Sequence, residues 1–108
     1  MKTTTRGLSL AEMTRHSEDA ARLLRVLANP HRLRVLCALS DGELPVGELN
    51  ARVDLSQSAL SQHLAVLRED GVVATRRDGQ TIHYRLKDGP AVAIVRTLQD
   101  LYCGPGGK

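Results

Sequence analysis

The stretch from Val46 to Leu86 constrains this chain more than any other. Val46, Leu49 and Val53 recur at the spacing of one helix face, and Asp54-Leu55 follows as a turn. Ser56 then stands where a helix cap is wanted, and Leu55 and Leu60 occupy the two positions of a hydrophobic staple. Leu60, Leu64 and Leu67 make the buried stripe of the next helix, and Gly71 stops it. Val72 to Arg77 and Thr81 to Leu86 read as strands, with Asp78-Gly79 between them as a hairpin signal. Ile82, Tyr84 and Leu86 alternate inward, His83 and Arg85 outward. Two short helices joined by a tight turn make a helix-turn-helix, and a twisted hairpin directly behind it makes a wing.

Three further helices flank this unit. Ser9 to Leu27 is helical, with Met13, Ala20, Leu23, Leu24 and Leu27 on one stripe. Asn29 caps a second helix that Pro30 opens, and Asp41-Gly42 ends it. Its run Val35-Leu36-Cys37-Ala38-Leu39 is apolar all round, so this helix is expected at the centre. Gly89-Pro90 opens a last helix reaching Cys103, with Ala91, Ile94, Val95, Leu98, Leu101 and Tyr102 on its apolar face. The expected fold is mainly α with a small β-hairpin, a winged helix-turn-helix of order α-α-α-α-β-β-α. Without repeats or a linker, residues 9–103 form one domain, between a loose arm (1–8) and a loose tail (104–108).

Apolar residues make up 42% of the 108, enough for a core, but aromatics are only 2%, Tyr84 and Tyr102. The core is therefore built from Leu, Val, Ile and Ala, and no aromatic platform exists for stacking single-stranded bases. A formal charge of +3 permits a phosphate-binding face. Met1 to Leu8 holds no apolar run of a signal peptide, and no stretch approaches the ~20 apolar residues of a membrane span. A cytoplasmic location follows, in which the two cysteines, Cys37 and Cys103, meet a reducing environment. A structural disulfide is disfavoured there; a redox or metal role is the alternative to none at all.

Gln57, Ser58, Ser61 and Gln62 lie opposite the leucines of the fourth helix, near its N-terminus. Recognition helices present that end to base edges in the major groove, where Gln pairs with adenine and Ser with several bases. Arg68 follows at i+7 from Ser61 and suits a backbone contact. Arg76 and Arg77, expected at the hairpin tip, suit phosphate or the minor groove. A polar helix face is also what any solvated helix shows; the turn, the staple, the wing and the basic pI together favour DNA. His63, beside the leucine stripe, reads as a packed structural histidine.

Three parts of the chain carry a family resemblance. Leu27-Ala28-Asn29-Pro30-His31-Arg32-Leu33-Arg34-Val35-Leu36 resembles the second-helix signature of the ArsR family of bacterial repressors. Leu55-Ser56-Gln57-Ser58-Ala59-Leu60-Ser61-Gln62-His63-Leu64 resembles its recognition helix, and Asp70 to Val73 with Arg76 to Tyr84 its wing. The resemblance implies a homodimer through the first and last helices, bound to double-stranded DNA at an inverted repeat.

Many members of that family release DNA on binding a metal. Neither of the family's two usual ligand sets is present: Val46 to Val53 has no Cys, Pro90 to Leu101 has no His and only Asp100, and His16, His31, His63 and His83 are scattered. No metal ligand and no cofactor is therefore assigned. Cys37 on the second helix and Cys103 ending the last are similar to the thiol pair of the persulfide-responsive, SqrR/BigR/HlyU-like subgroup. That similarity implies a repressor whose DNA affinity falls when persulfide, polysulfide or oxidant chemistry bridges the two thiols. Arg34 at i−3 favours a thiolate at Cys37, while Asp100 and the helix C-terminus oppose one at Cys103. Cys37 is thus expected to attack, unless tertiary neighbours decide otherwise. Taken singly, Cys37 is also a small apolar residue and Cys103 a terminal thiol. A repressor responsive to arsenite or a thiophilic metal is the alternative, and a constitutive DNA-binding module with inert thiols is a third. A thiol enzyme is disfavoured, since there is no Cys-x-x-Cys, no βαβ unit and no phosphate loop.

Overall fold

A computed structural model describes residues 9–104. The arm expected at 1–8 and the tail from 105 onward lie outside the described residues. The elements are α1 (Leu10–Leu27), α2 (Pro30–Leu39), β1 (Leu44–Pro45), α3 (Val46–Val53), α4 (Gln57–Glu69), β2 (Val73–Asp78), β3 (Thr81–Leu86) and α5 (Pro90–Cys103). This is the expected winged helix-turn-helix order, with one short strand added.

Local chemistry sets most boundaries. Ser9 caps α1 by accepting from the Glu12 backbone N–H at 3.0 Å. Asn29 Oδ1 accepts from the His31 and Arg32 N–H groups at 2.9 and 3.0 Å, with Pro30 at the first helical position. Arg32 also donates from Nε to the Val26 carbonyl, closing the end of α1 onto α2. Ser56 accepts from Ala59 N–H at 3.1 Å, and Asp54 (φ 56°) makes the turn before it in a left-handed conformation. Asn50 braces that turn by donating to the Leu55 carbonyl at 2.8 Å. At the far end of α4, Val72 N–H reaches Leu67 O at 2.9 Å and Gly71 N–H reaches Arg68 O at 3.0 Å. With Gly71 at φ +73°, this is a Schellman ending, and its hydrophobic pair, Leu67 and Val72, is buried.

One core joins the helices to the sheet. Val35, Leu36 and Leu39 of α2 meet Leu49 and Val53 of α3, Leu60, Leu64 and Leu67 of α4, Val73 of β2, and Ala91 and Val95 of α5. As composition requires, every buried side chain there is aliphatic, and Tyr84 only packs at its margin.

The structure corrects several expectations. The hairpin tip is Gly79-Gln80, not Asp78-Gly79, because Asp78 pairs with Thr81 and the first strand is one residue longer at its tip. Gly79 takes φ +66°, which suits a Gly-first two-residue turn. The sheet has a third strand, since Leu44 pairs with Tyr84 and Pro45 with His83. His83, expected outward, is half-buried, flanked by Pro45 on one strand and Arg76 on the other. Of the stripe expected on α1, only Leu27 is buried; Leu24 is 55% exposed, and Met13 is exposed too. On α5, Leu101 and Tyr102 are 71% and 83% exposed. On α2, Cys37 faces outward, so that helix is central but not enclosed all round. Among the described residues, nothing buries Leu24, Met13, Leu101 or Tyr102.

Candidate DNA interface and thiol site

Helix α4 divides as its sequence requires. Leu60, Leu64 and Leu67 are buried, while Gln57, Ser58, Ser61, Gln62 and Arg68 are all exposed. The turn at Asp54 and the cap at Ser56 bring the polar residues to the first turns of the helix, where unpaired N–H groups add positive potential. His63 is half-buried and tilts against His31, their ring centroids 5.6 Å apart. Burial, then the nearby Arg32 and His31 charges, lowers its pKa, as suits a packed histidine.

The wing does not present its arginines as a tip pair. Arg76 and Arg77 lie within β2, opposite His83 and Ile82, so they emerge from opposite faces of the sheet. Arg77 is exposed. Arg76 is engaged: its Nη2 and Nε donate to the Glu43 carboxylate at 2.7 and 3.1 Å. Sequence reasoning missed Glu43, and no local signal could have found it, because strand β1 brings it to the wing.

The two sulfurs come together. Cys37 and Cys103 line one apolar hollow of about 180 Å³ between α2 and α5, with Leu33, Val95, Leu98, Gln99 and Tyr102. Burial pushes the Cys37 thiol above its usual value, the nearby Gln99 amide pulls the other way, and the proximity of Cys103 pushes up again. Arg34, expected to favour the Cys37 thiolate, pairs instead with His31 Nδ1 at 2.7 Å. The expectation that Cys37 attacks first therefore loses its support. Gln99 was also missed, although it lies four residues before Cys103 on the same helix face. Its Nε2 also donates to Ser40 Oγ at 3.0 Å, and Ser40 Oγ donates to the Cys37 carbonyl at 2.7 Å. Gln99 thus pins α5 to the end of α2. Among the described residues, no three His, Cys, Asp or Glu side chains gather as a metal site.

Residues 29–75 match the family described as bacterial regulatory protein, arsR family. The chain is 51% identical over 96 residues to the transcriptional activator HlyU of Vibrio cholerae, spanning 89% of each protein. This chain belongs to the ArsR family. It is also 43% identical over 98 residues to the biofilm growth-associated repressor of Agrobacterium fabrum, covering 91% of this chain and 84% of the relative. Among solved structures, reduced HlyU from Vibrio cholerae superposes with a TM-score of 0.81 at 52% identity, covering 87% of this chain and 99% of that one. The repressor BigR from Xylella fastidiosa gives 0.82 at 40% identity, covering 89% and 98%. This ArsR-family chain is a DNA-binding transcriptional regulator and not an enzyme. No helix among the described residues is long and apolar enough to cross a membrane.

Proposed function

We propose that this ArsR-family protein is a cytoplasmic homodimeric repressor that leaves its DNA when Cys37 and Cys103 become bridged. The observation that carries the sensing half is the shared hollow holding the two thiols. The DNA half rests on the exposed polar edge of α4: Gln57, Ser58, Ser61 and Gln62 read bases, while Arg68 and Arg77 meet phosphate. Arg76 joins them once freed from Glu43. The uncovered apolar residues of α1 and α5, among them Leu10, Met13, Leu24, Leu101 and Tyr102, form the dimer interface. Two-fold symmetry then sets the paired recognition helices on an inverted repeat.

The inducer is a low-molecular-weight persulfide. Because burial raises the Cys37 thiol, the first attack is assigned to Cys103. Its thiolate takes the outer sulfur of RSSH and releases RS⁻, leaving a persulfide on Cys103. The Cys37 thiolate then attacks the inner sulfur of that persulfide, forms the Cys37–Cys103 disulfide and expels HS⁻. The sulfane sulfur is reduced and the dithiol oxidised. If both thiols are first persulfidated, the same displacement leaves one extra sulfur in the bridge. Bridging draws the end of α5 toward α2 and displaces Gln99, shifting the dimer away from the half-site spacing that DNA requires.

The test is DNA binding with intact-mass measurement after treatment with glutathione persulfide, peroxide or arsenite. Wild-type protein is expected to lose affinity and gain an internal bridge with persulfide. Cys37→Ser is expected to keep its DNA and to hold an unresolved persulfide on Cys103. Unchanged persulfide-induced release in Cys37→Ser would overturn the mechanism. Release by arsenite alone would instead favour a thiophilic metalloid sensor.

A further inference from the structure

The side chain of Arg76 crosses strand β3 to reach the loop before β1. In the register Arg76 faces His83, and His83 faces Pro45 on its other side, so Arg76, His83 and Pro45 share one face of the sheet. Glu43 stands two residues before Pro45 and takes the guanidinium by its Nε and Nη2 edge. That edge is the one Arg uses for two-pronged recognition of carboxylate or phosphate, and it cannot serve both at once. The remaining amine, Nη1, lies 4.0 Å from Asp78. The Arg76 hydrogen bonds, then the charges of Arg76, His83 and Arg85, hold the Glu43 carboxyl below the usual carboxylate range. The pair is open to water, with side chains 51% and 28% exposed for Arg76 and Glu43, so solvent screens it and phosphate can compete for the arginine.

We propose that Glu43 is an affinity-setting residue, an internal stand-in for DNA phosphate that occupies Arg76 in the free protein and is displaced when the wing engages the backbone. Glu43 limits affinity in two ways. Every wing contact by Arg76 first breaks the pair, and the released carboxylate then faces the phosphates as a like charge. The arrangement keeps sequence-independent attraction low, so that the base-reading edge of α4 carries a larger share of discrimination. This inference rests on the proposed DNA interface, through Arg76.

The experiment measures binding of the reduced full-length chain to a duplex that wild-type protein selects from a random pool, and to a scrambled duplex, across a salt series. Glu43→Gln keeps the shape and removes the charge. It is expected to tighten binding to both duplexes, roughly three- to tenfold at low salt, and to steepen the log–log salt dependence by up to about 0.9, because no freed carboxylate then keeps a cation beside the phosphates. Arg76→Gln alone is expected to weaken binding to both duplexes, through the lost phosphate contact and the unpaired Glu43 carboxylate, and in the Arg76→Gln background Glu43→Gln is expected to give a smaller gain than it gives in wild type. Thermal unfolding of each variant checks that the fold is intact. Weaker binding by Glu43→Gln would mean that Glu43 orients Arg76 for DNA, and a gain of equal size without Arg76 would mean that the pair is irrelevant; either overturns the proposal. Gln57→Ala and Ser61→Ala on the same duplexes test the α4 interface separately. Their failure to weaken selected over scrambled binding would sink the base-reading assignment, while the salt slope of Glu43→Gln still reports on the wing.

Discussion

Ser56→Ala removes one defined interaction, the acceptor that Ser56 Oγ offers to Ala59 N–H at 3.1 Å. The site is exposed, so no cavity forms and no core contact is lost; the whole effect is the cap. Loss of such a cap costs about 1 kcal/mol, which lowers the midpoint of a domain this size by roughly 4–8 °C. Ser56→Asp keeps an acceptor at the same position and adds a charge that the helix N-terminus favours, so its midpoint is expected to stay within a degree or two of wild type. The two variants reverse order in DNA binding. Ser56→Ala, measured well below its midpoint, is expected to bind nearly as wild type. Ser56→Asp sets a carboxylate beside the reading edge of α4 and is expected to bind severalfold more weakly. Thermal unfolding at one fixed protein concentration and fluorescence anisotropy on one duplex provide both readouts. An unchanged midpoint for Ser56→Ala, or an equal loss for Ser56→Asp, would refute the capping argument. Full affinity in Ser56→Asp would refute the placement of this helix end against DNA.

Gly71→Ala and Gly47→Ala are expected to move stability in opposite directions in urea unfolding. An added Cβ meets nothing at either position, but Gly71 sits at φ +73° while Gly47 is helical; the first therefore costs about 1–2 kcal/mol and the second gains up to about 1 kcal/mol. His63 is lowered in the folded state, so the unfolded chain binds its proton more readily. Stability from this group is complete above the unfolded value of 6.5 and is lost as pH falls from there through the folded value. His63→Gln is expected to flatten that part of the stability–pH curve, and an unaltered curve would show that His63 is not linked to folding.

Much of the helix-turn-helix half was legible because its signals are local. A cap at Ser56, a staple between Leu55 and Leu60, leucines at helical spacing and a glycine stop at Gly71 each act within a few residues. Sequence therefore located α4 and its polar edge almost to the residue. It erred by one at the hairpin tip, where the strand ladder extends to the Asp78–Thr81 pair and outweighs the turn preference of Asp78-Gly79. The wing arginines were misjudged for a related reason: strand alternation sends neighbours to opposite faces, and the partner of Arg76 comes from a loop distant in the chain.

Sequence by itself determined the order of the helices and the hairpin, the aliphatic core and the polar edge of α4, since each depends on propensity, periodicity or capping between near neighbours. Tertiary structure alone decided that Cys37 and Cys103 share one hollow, that burial raises the Cys37 thiol, and that Glu43 holds Arg76. Those facts depend on how α2, α5 and the strand before α3 pack against one another, and long-range packing follows from the burial of the whole core rather than from any pattern within a single segment.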